Sequence, residues 1–499
     1  MLGVSNLMKQ QGGYVSNHFD VLIVGAGLSG VGAACHLMME APTRTFTIVE
    51  SREVSGGTWD LFRYPNIRSD SDMYTLGYSF APWTEKKSIA DGPLILNYIR
   101  ETAKKFDVDA KIQYSKRVVA ASWSTPDARW TVSVQNTKTH ELETITCNFL
   151  WGNTGYYKYE EGYRPDFPNE ESFTGTIVHP QHWPDDLNWT NKKVVVIGSG
   201  ATAMTLVPAL AKDAEKVVLL QRSPTYVVSR PDTDEFADKL RKKFSPKRAH
   251  RLIRFKAITL GMLTYQLARV KPEFLKKQIR KGAIMQLPKG YDVDTHFNPS
   301  YNPWDQRLCL VPNGDLFKSI RSGKVEIVTD HIASFTPTGI ALQSGQEIEA
   351  DIIVTATGLI MQLLGGMTLS IDGRELNPAE TVQYKGVMLC GVPNLAMTFG
   401  YTNASWTLKA DLTAEYVCRL LNKMERKGLR QATPVAPKDA KTEAFLTLTS
   451  GYVSRAAASL PKQGAKKPWR LYQNYALDTM LLKRGRVTNH MKLSNPVSR

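Results

Sequence analysis

Two segments of this chain follow one pattern: a short apolar run, a glycine-rich turn and a helix-forming stretch. The first is Phe19-Asp-Val-Leu-Ile-Val24, then Gly25-Ala-Gly27-Leu-Ser-Gly30, with Leu28 to Met39 as the helix. The second is Lys193-Val-Val-Val-Ile197, then Gly198-Ser-Gly200-Ala-Thr-Ala203. A short apolar run bounded by glycine reads as a buried strand of a parallel sheet. The three small residues then have separate jobs. The first makes the turn, the second lets backbone approach a pyrophosphate, and the third lets the helix pack on the strand. A pyrophosphate is favoured at the helix N-terminus by free N–H groups and by the helix dipole. Two such units in 499 residues predict an α/β protein with two dinucleotide-binding, Rossmann-like domains.

The units differ where their second strands end. Phe46-Thr-Ile-Val-Glu50 ends in a carboxylate about 20 residues after the turn, where a ribose hydroxyl ligand belongs. Lys216-Val-Val-Leu-Leu-Gln221 ends in a neutral residue followed by Arg222. A carboxylate repels a 2′-phosphate, whereas arginine clamps one through charge-assisted bonds. The second unit is therefore expected to take NADPH rather than NADH, and the first a dinucleotide without that phosphate, as in FAD.

Other features narrow the class. The five cysteines are scattered, with no C-x-x-C pair, which fits a reducing compartment and argues against structural zinc or a dithiol centre. No His, Cys or carboxylate cluster has metal-ligand spacing, so no metal site is expected. The N-terminal stretch lacks the apolar core of a secretory signal and reads as a disordered tail over residues 1–18. The apolar tract Ala257 to Ala268 is interrupted by Thr259, Gly261, Thr264 and Gln266, and is too short to span a bilayer. A cytoplasmic protein is the expectation.

The net charge of +16 is concentrated in one region: Lys239 to Lys289 holds sixteen Lys/Arg and a single acid, Glu273. Within it Leu252, Phe255, Ile258, Met262 and Leu263 follow helical spacing, with Arg251, Arg254 and Lys256 between them. One reading is a helical insert packed on its own domain. The other is a basic amphipathic surface at the inner face of the cell membrane, in peripheral contact with anionic lipid. No nucleic-acid partner is expected, because no helix-turn-helix, RNP-type or zinc-finger pattern accompanies the charge.

Four further stretches carry a resemblance. Gly56-Gly57-Thr58-Trp59 follows the first ribose strand, where adjacent glycines suit close approach to a planar ligand. Arg63-Tyr64-Pro65-Asn66-Ile67-Arg68-Ser69-Asp70 comes next, and Tyr301-Asn-Pro-Trp304-Asp-Gln306-Arg307-Leu308 lies far downstream. Between them Phe173, Gly175, His179 and Trp183 spell F-x-G-x-x-x-H-x-x-x-W, followed by Pro184. From about Phe19 to about Arg484 the chain resembles the Baeyer–Villiger type of flavin monooxygenase. It looks most like the branch linked to thioamide-prodrug activation and long-chain alkane use.

The resemblance implies FAD and NADPH as cofactors, with O₂ captured as a C4a-peroxyflavin that inserts one oxygen beside a ketone carbonyl. Gly25, Gly27, Gly30, Glu50, Gly57, Thr58, Trp59 and Asp70 would hold FAD; Gly198, Gly200, Ala203 and Arg222 would hold NADPH. Arg307 matches the family's catalytic arginine and Asp70 the carboxylate that pairs with it. Two positions depart from the pattern: Asn66 stands for a glycine, and Gln306 stands where many relatives carry lysine. Asn tolerates positive φ, so the turn is expected to survive. The motif at 173–183 is expected to be a hinge whose aromatic ends pin the two domains and whose histidine couples them. Alternatives are an oxygenase of sulfur or nitrogen (thioamides, sulfides), a long-chain alkane-degradation enzyme, and a non-catalytic NADPH sensor on a membrane. The expected plan is an FAD domain over 19–160, an NADP domain over 161–345 with a helical insert at about 235–300, a return to the FAD domain over 346–485, and a tail over 486–499.

Overall fold

The computed structural model describes residues 17–306, 308–437 and 441–496. Among them two sheets dominate, one of nine strands and one of five, and each is built on one of the glycine-turn units.

In the first sheet, His18–Val24 lies between two parallel neighbours, Phe46–Val49 and Leu142–Gly152. Its last four residues are buried, as a run flanked on both faces must be. The long strand Leu142–Gly152 pairs with Arg129–Asn136 along its first half and with Leu395–Met397 along its second. Lys116–Ser124 and Arg129–Asn136 extend the sheet antiparallel, and Thr368–Ile371 joins the far edge.

The second sheet runs Val325–Thr329, Lys216–Gln221, Lys193–Ile197, Ile352–Thr355, Thr176–Val178, all parallel. The expected return to the first domain at residue 346 therefore falls later. Ile352–Thr355 is too apolar to leave the core and forms a central strand of the second sheet, buried throughout. Only after Gly358 does the chain leave, through Leu359–Met361, which pairs antiparallel with Tyr157–Gly162 in a ribbon between the two units.

Two further expectations are corrected. Residues 486–499 are not simply a tail: Met491–Ser494 pairs antiparallel with Gln431–Pro434. Alternating side chains and a free strand edge explain the pairing. The tail expected over 1–18 already ends in strand, since His18 pairs with Thr146; residues 1–16 lie outside the described residues.

The insert is helical, as expected: Glu235–Lys243, Pro246–Val270, Pro272–Gln286 and Val293–Phe297. It does not pack on its own unit alone. Ala249 and Ile253 belong to the core of the first unit, whereas Ala283 and Leu287 belong to that of the second.

Candidate functional site

The two glycine turns are built alike. Gly25 has φ +101°, and a Cβ there would lie 2.7 Å from the Asn153 carbonyl oxygen, at the end of the neighbouring strand. Gly198 has φ +129° and abuts Ala356 in the same way. A Cβ on Gly30 would collide with the Gly25 carbonyl oxygen, so this residue sets the closeness of helix and turn. Ala203 is wholly buried in the equivalent place. Gly27 and Gly200 are the N-caps of Leu28–Glu40 and Ala201–Leu210, and neither helix has a side-chain cap. Their leading N–H groups are thus left for something else to bind.

Around the first turn the walls of a cavity converge. Gly57, with φ +55°, faces Gly27 backbone to backbone; a Cβ on Gly57 would come 3.0 Å from the Gly27 Cα. Glu50 is buried and already occupied: one carboxylate oxygen accepts the Ala26 N–H at 2.7 Å, the other the Arg52 N–H at 2.9 Å. Burial pushes its carboxyl above the ordinary range, against those bonds. It therefore holds the turn as well as lining the cavity. Thr58 Oγ1 lies 3.3 Å from the Tyr159 hydroxyl, and Trp59 packs against the cores of both units.

The cavity measures about 390 Å³. It brings together Gly25, Gly27, Glu50, Gly57, Thr58, Trp59 and Asp70 from the first unit with Ala201, Thr202 and Thr205 from the second. Tyr156, Tyr157 and Tyr159 line it too, whereas Tyr163 lies under the Arg455 guanidinium. Tyr156 stacks on Trp406, whose indole N–H donates to Ser29 Oγ at 2.7 Å.

Asn66 adopts φ +62°, so the turn survives without its glycine. Beyond it the chain splits its charges. Arg68 is buried and pairs with Asp315 of the second unit, while Asp70 stands exposed at the cavity wall. Arg307 lies outside the described residues. The loop leading to it is held from the insert: the Trp304 ring meets Tyr265 edge-on, and Arg269 pairs with Asp305 at 2.6 Å. On the second unit Gly198, Gly200 and Arg222 stand apart from this cavity. Arg222 is exposed and makes no ion pair among the described residues. Buried Gln221 before it donates to Thr329 Oγ1 and to the His296 carbonyl, both at 2.9 Å.

The motif at 173–183 corrects one expectation in part. Phe173 packs on the second unit alone, whereas Trp183 packs against a core that joins residues of that unit to Phe62, Tyr64 and Ile67 of the first. Phe173 enters the core on one face of the five-stranded sheet and folds over Gly175, while Trp183 packs against the core on the other. Thr176–Val178 between them is the edge strand of that sheet, so its flanking side chains reach both faces. The coupling runs through polar groups. His179 Nε2 donates to the Gly358 carbonyl at 3.2 Å, and its Nδ1 accepts the Gln181 N–H. Burial lowers the imidazole pKa, consistent with the neutral ring those bonds require. Gly162 lies flat on that ring, with no room for a Cβ.

Sequence reasoning missed Gln181, which is buried and donates to the carbonyls of Lys158 and Tyr159 on the ribbon. It missed Asp60 as well, a buried carboxylate beside the cavity that pairs with Arg52, Arg63 and Arg100. Neither residue stands out by type or spacing.

These residues fit two dinucleotides. The backbone-only face of Gly27 and Gly57, the uncapped helix ends and exposed Arg222, which has no ion pair among the described residues, are what such ligands need. Among the described residues no group of three or more His, Cys, Asp or Glu could hold a metal ion.

Comparison with known proteins agrees. The family model for flavin-binding monooxygenase-like proteins matches residues 78–364, and that for an NAD(P)-binding Rossmann-like domain matches 23–82. The chain is 54% identical to the FAD-containing monooxygenase EthA of Mycobacterium tuberculosis (strain ATCC 25618 / H37Rv), covering 95% of this chain and 97% of that protein. It is 48% identical to the probable FAD-binding monooxygenase AlmA of Acinetobacter baylyi, covering 95% of each. Among solved structures, an oxidized steroid monooxygenase bound to NADP superposes with a TM-score of 0.73 at 21% identity, covering 95% of this chain and 99% of that one. Cyclohexanone monooxygenase bound to epsilon-caprolactone superposes with a TM-score of 0.72 at 19% identity, covering 96% and 100%.

Proposed function

The chain belongs to the flavin-binding monooxygenase-like family, and from that premise we propose an FAD-containing, NADPH-dependent monooxygenase of the Baeyer–Villiger type. Its reaction places one oxygen atom of O₂ beside the carbonyl of a hydrophobic ketone, giving an ester or lactone. The observation that carries this reading is the shared cavity. One space of about 390 Å³ is walled by the first glycine turn, by the start of the second unit's helix and by Asp70.

Bound FAD supplies acceptance of hydride from NADPH and activation of O₂; the protein supplies position and charge. The N–H groups after Gly27 hold the FAD pyrophosphate and those after Gly200 the NADPH pyrophosphate. Arg222 takes the 2′-phosphate, which Gln221 does not repel. Tyr156, Trp406 and Leu364 make the cavity apolar and exclude water from it. Asp70 orients and tunes Arg307, whose guanidinium stabilises negative charge developing on the oxygen being transferred. That cation keeps the attacking oxygen deprotonated, as attack on a carbonyl carbon requires.

The test is incubation of the FAD-loaded protein with NADPH, O₂ and 2-alkanones of graded length, with aryl sulfides and thioamides in parallel, and products identified by mass. Esters carrying one added oxygen are expected. Sulfur oxides without any ester would select the sulfur-oxygenating reading instead. Arg307→Ala is expected to keep NADPH-driven flavin reduction, followed by bleaching of the visible absorbance of oxidised flavin, and to lose ester formation. Normal ester yield in that variant would remove Arg307 from the mechanism.

A further inference from the structure

The insert helix Pro246–Val270 presents the wrong side to its neighbours for an ordinary packing helix. Its inward positions are Ala249, Ile253, Arg254 and Ala268. Several of its large apolar residues nevertheless point outward: Phe255 is 70% exposed, Leu263 62% and Val270 72%. Arg248, Leu252, Phe255, Thr259, Leu263, Gln266 and Val270 succeed one another at steps of three or four, which places them on one face. The next helix, Pro272–Gln286, repeats the arrangement, with Phe274, Lys277, Lys281 and Met285 outward and Ala283 inward.

The charge on this surface is largely uncompensated. Of the sixteen cations between Lys239 and Lys289, six pair with carboxylates among the described residues: Arg241, Arg254, Lys256, Arg269, Lys276 and Arg280. Arg248, Arg251, Lys277 and Lys281, which flank the exposed apolar side chains, do not.

We propose that the outward face of these two helices docks on an anionic phospholipid surface. An apolar stripe bordered by unpaired cations matches the boundary between headgroups and acyl chains, where such a helix buries its apolar side about 5–10 Å deep. Charge complementarity selects lipid over a second copy of this chain. A self-contact would bring two strongly cationic faces together, whereas an anionic surface neutralises them. Docking is peripheral, because among the described residues no helix is long and apolar enough to cross a membrane.

The surface is rigidly tied to the site. Arg254 Nη1 donates to the carbonyls of Tyr74 and Gly77 at 2.8 Å, and its Nη2 pairs with Asp411 at 3.2 Å, anchoring the helix to the first unit. Tyr265 and Arg269 of the same helix hold Trp304 and Asp305 on the loop that leads to Arg307. A substrate dissolved in the lipid would thus be met at the loop beside the reacting group. This consequence for substrate rests on the oxygenase reading; the docking itself does not.

The test uses the full-length FAD-loaded protein and flotation on vesicles of phosphatidylcholine alone or mixed with phosphatidylglycerol. Binding to the mixed vesicles and release by high salt are expected, since ionic strength screens the attraction. Each cation near such a surface is worth about fivefold in partition, so Lys277→Ala with Lys281→Ala is expected to weaken it about 25-fold. Phe255→Ser with Leu263→Ser is expected to weaken binding while leaving flavin content and turnover of a short soluble ketone unchanged. Equal binding to both kinds of vesicle, or none, overturns the proposal. So does a dimer in velocity sedimentation that the Phe255/Leu263 variant splits, without vesicle binding by the parent. Flotation without ester formation sinks only the oxygenase reading; ester formation without flotation sinks only the docking.

Discussion

At the scale of single residues, the cofactor cradle depends on what is missing. Gly57 sits at φ +55° with Gly27 directly opposite. An alanine there meets the cost of a sparsely allowed positive-φ conformation, about 1–3 kcal/mol, and also projects a methyl group into the space between the two backbones. Gly57→Ala is expected to purify with a clearly reduced flavin-to-protein ratio, read from the visible spectrum; full flavin content would show that the gap is not a binding surface. Arg222 offers the opposite case, a group present and without an ion pair among the described residues. Losing a hydrogen bond to a charged group costs about 1.5–3 kcal/mol, so Arg222→Ala is expected to raise KM for NADPH by roughly 10–150-fold and leave that for NADH nearly unchanged. An equal rise for both coenzymes would place the 2′-phosphate elsewhere. Both residues were legible in sequence, because turn chemistry and strand-end charge are local properties. Asp60 and Gln181 were not, since a buried carboxylate among three arginines and a buried amide on a ribbon are products of tertiary contact. Asp70 was pointed to only by resemblance and does line the cavity; Arg307, pointed to in the same way, lies outside the described residues.

At the scale of elements, the insert helix shows how far pattern reading goes. Its period left two directions open, toward the domain or toward an outer surface; Leu252, Phe255 and Leu263 are exposed, while Ala249, Ile253 and Ala268 are buried. Close helix approach selects small side chains, and a period alone ranks large ones as core. The anchor of that helix, Arg254, joins a buried node formed by three elements. Asp411 of Trp406–Arg426 accepts Ser79 N–H at 2.9 Å, pairs with Arg254, and faces His36 Nε2 of Leu28–Glu40 at 3.5 Å. Burial opposes a charge on His36, but Asp411 and Glu40 outweigh it and push its pKa up from 6.5 to about 9. The folded protein therefore keeps a proton that the unfolded chain releases. Its stabilisation is complete below pH 6.5 and is lost as pH rises through about 9. Thermal or urea melts across that window should show falling stability, and His36→Gln should flatten the fall; an unchanged slope in the variant would assign it to other groups. The same node explains why helix and first unit cannot part cheaply, since removing one partner of a buried pair costs about 3–5 kcal/mol.

At the scale of the molecule, two similar units face one another across a ribbon, and little of that relation could be read from the chain alone. The existence of both units followed from their turns. Their joint did not: Arg68 reaches Asp315, 247 residues away, and the strand Ile352–Thr355 belongs to the unit that the sequence order suggested it had already left. Parallel sheets bring together segments that lie far apart in sequence, so boundaries fall where the topology closes rather than where composition shifts. Each unit also ends its glycine turn in a helix whose N-cap, a glycine, offers no side-chain cap to the first N–H groups. A ligand that fills such an end binds the folded state alone and stabilises it by RT ln(1 + [L]/Kd), about 2.7 kcal/mol at a hundredfold excess over Kd. Stripping FAD should therefore lower the melting temperature by several degrees and restoring it should recover the loss, as differential scanning calorimetry would record. An unchanged melt would mean that the open ends are satisfied by the protein itself. In a cell the same two open ends make the vitamin supply a determinant of how much of this protein survives proteolysis, so riboflavin starvation would thin out the polypeptide as well as idle it.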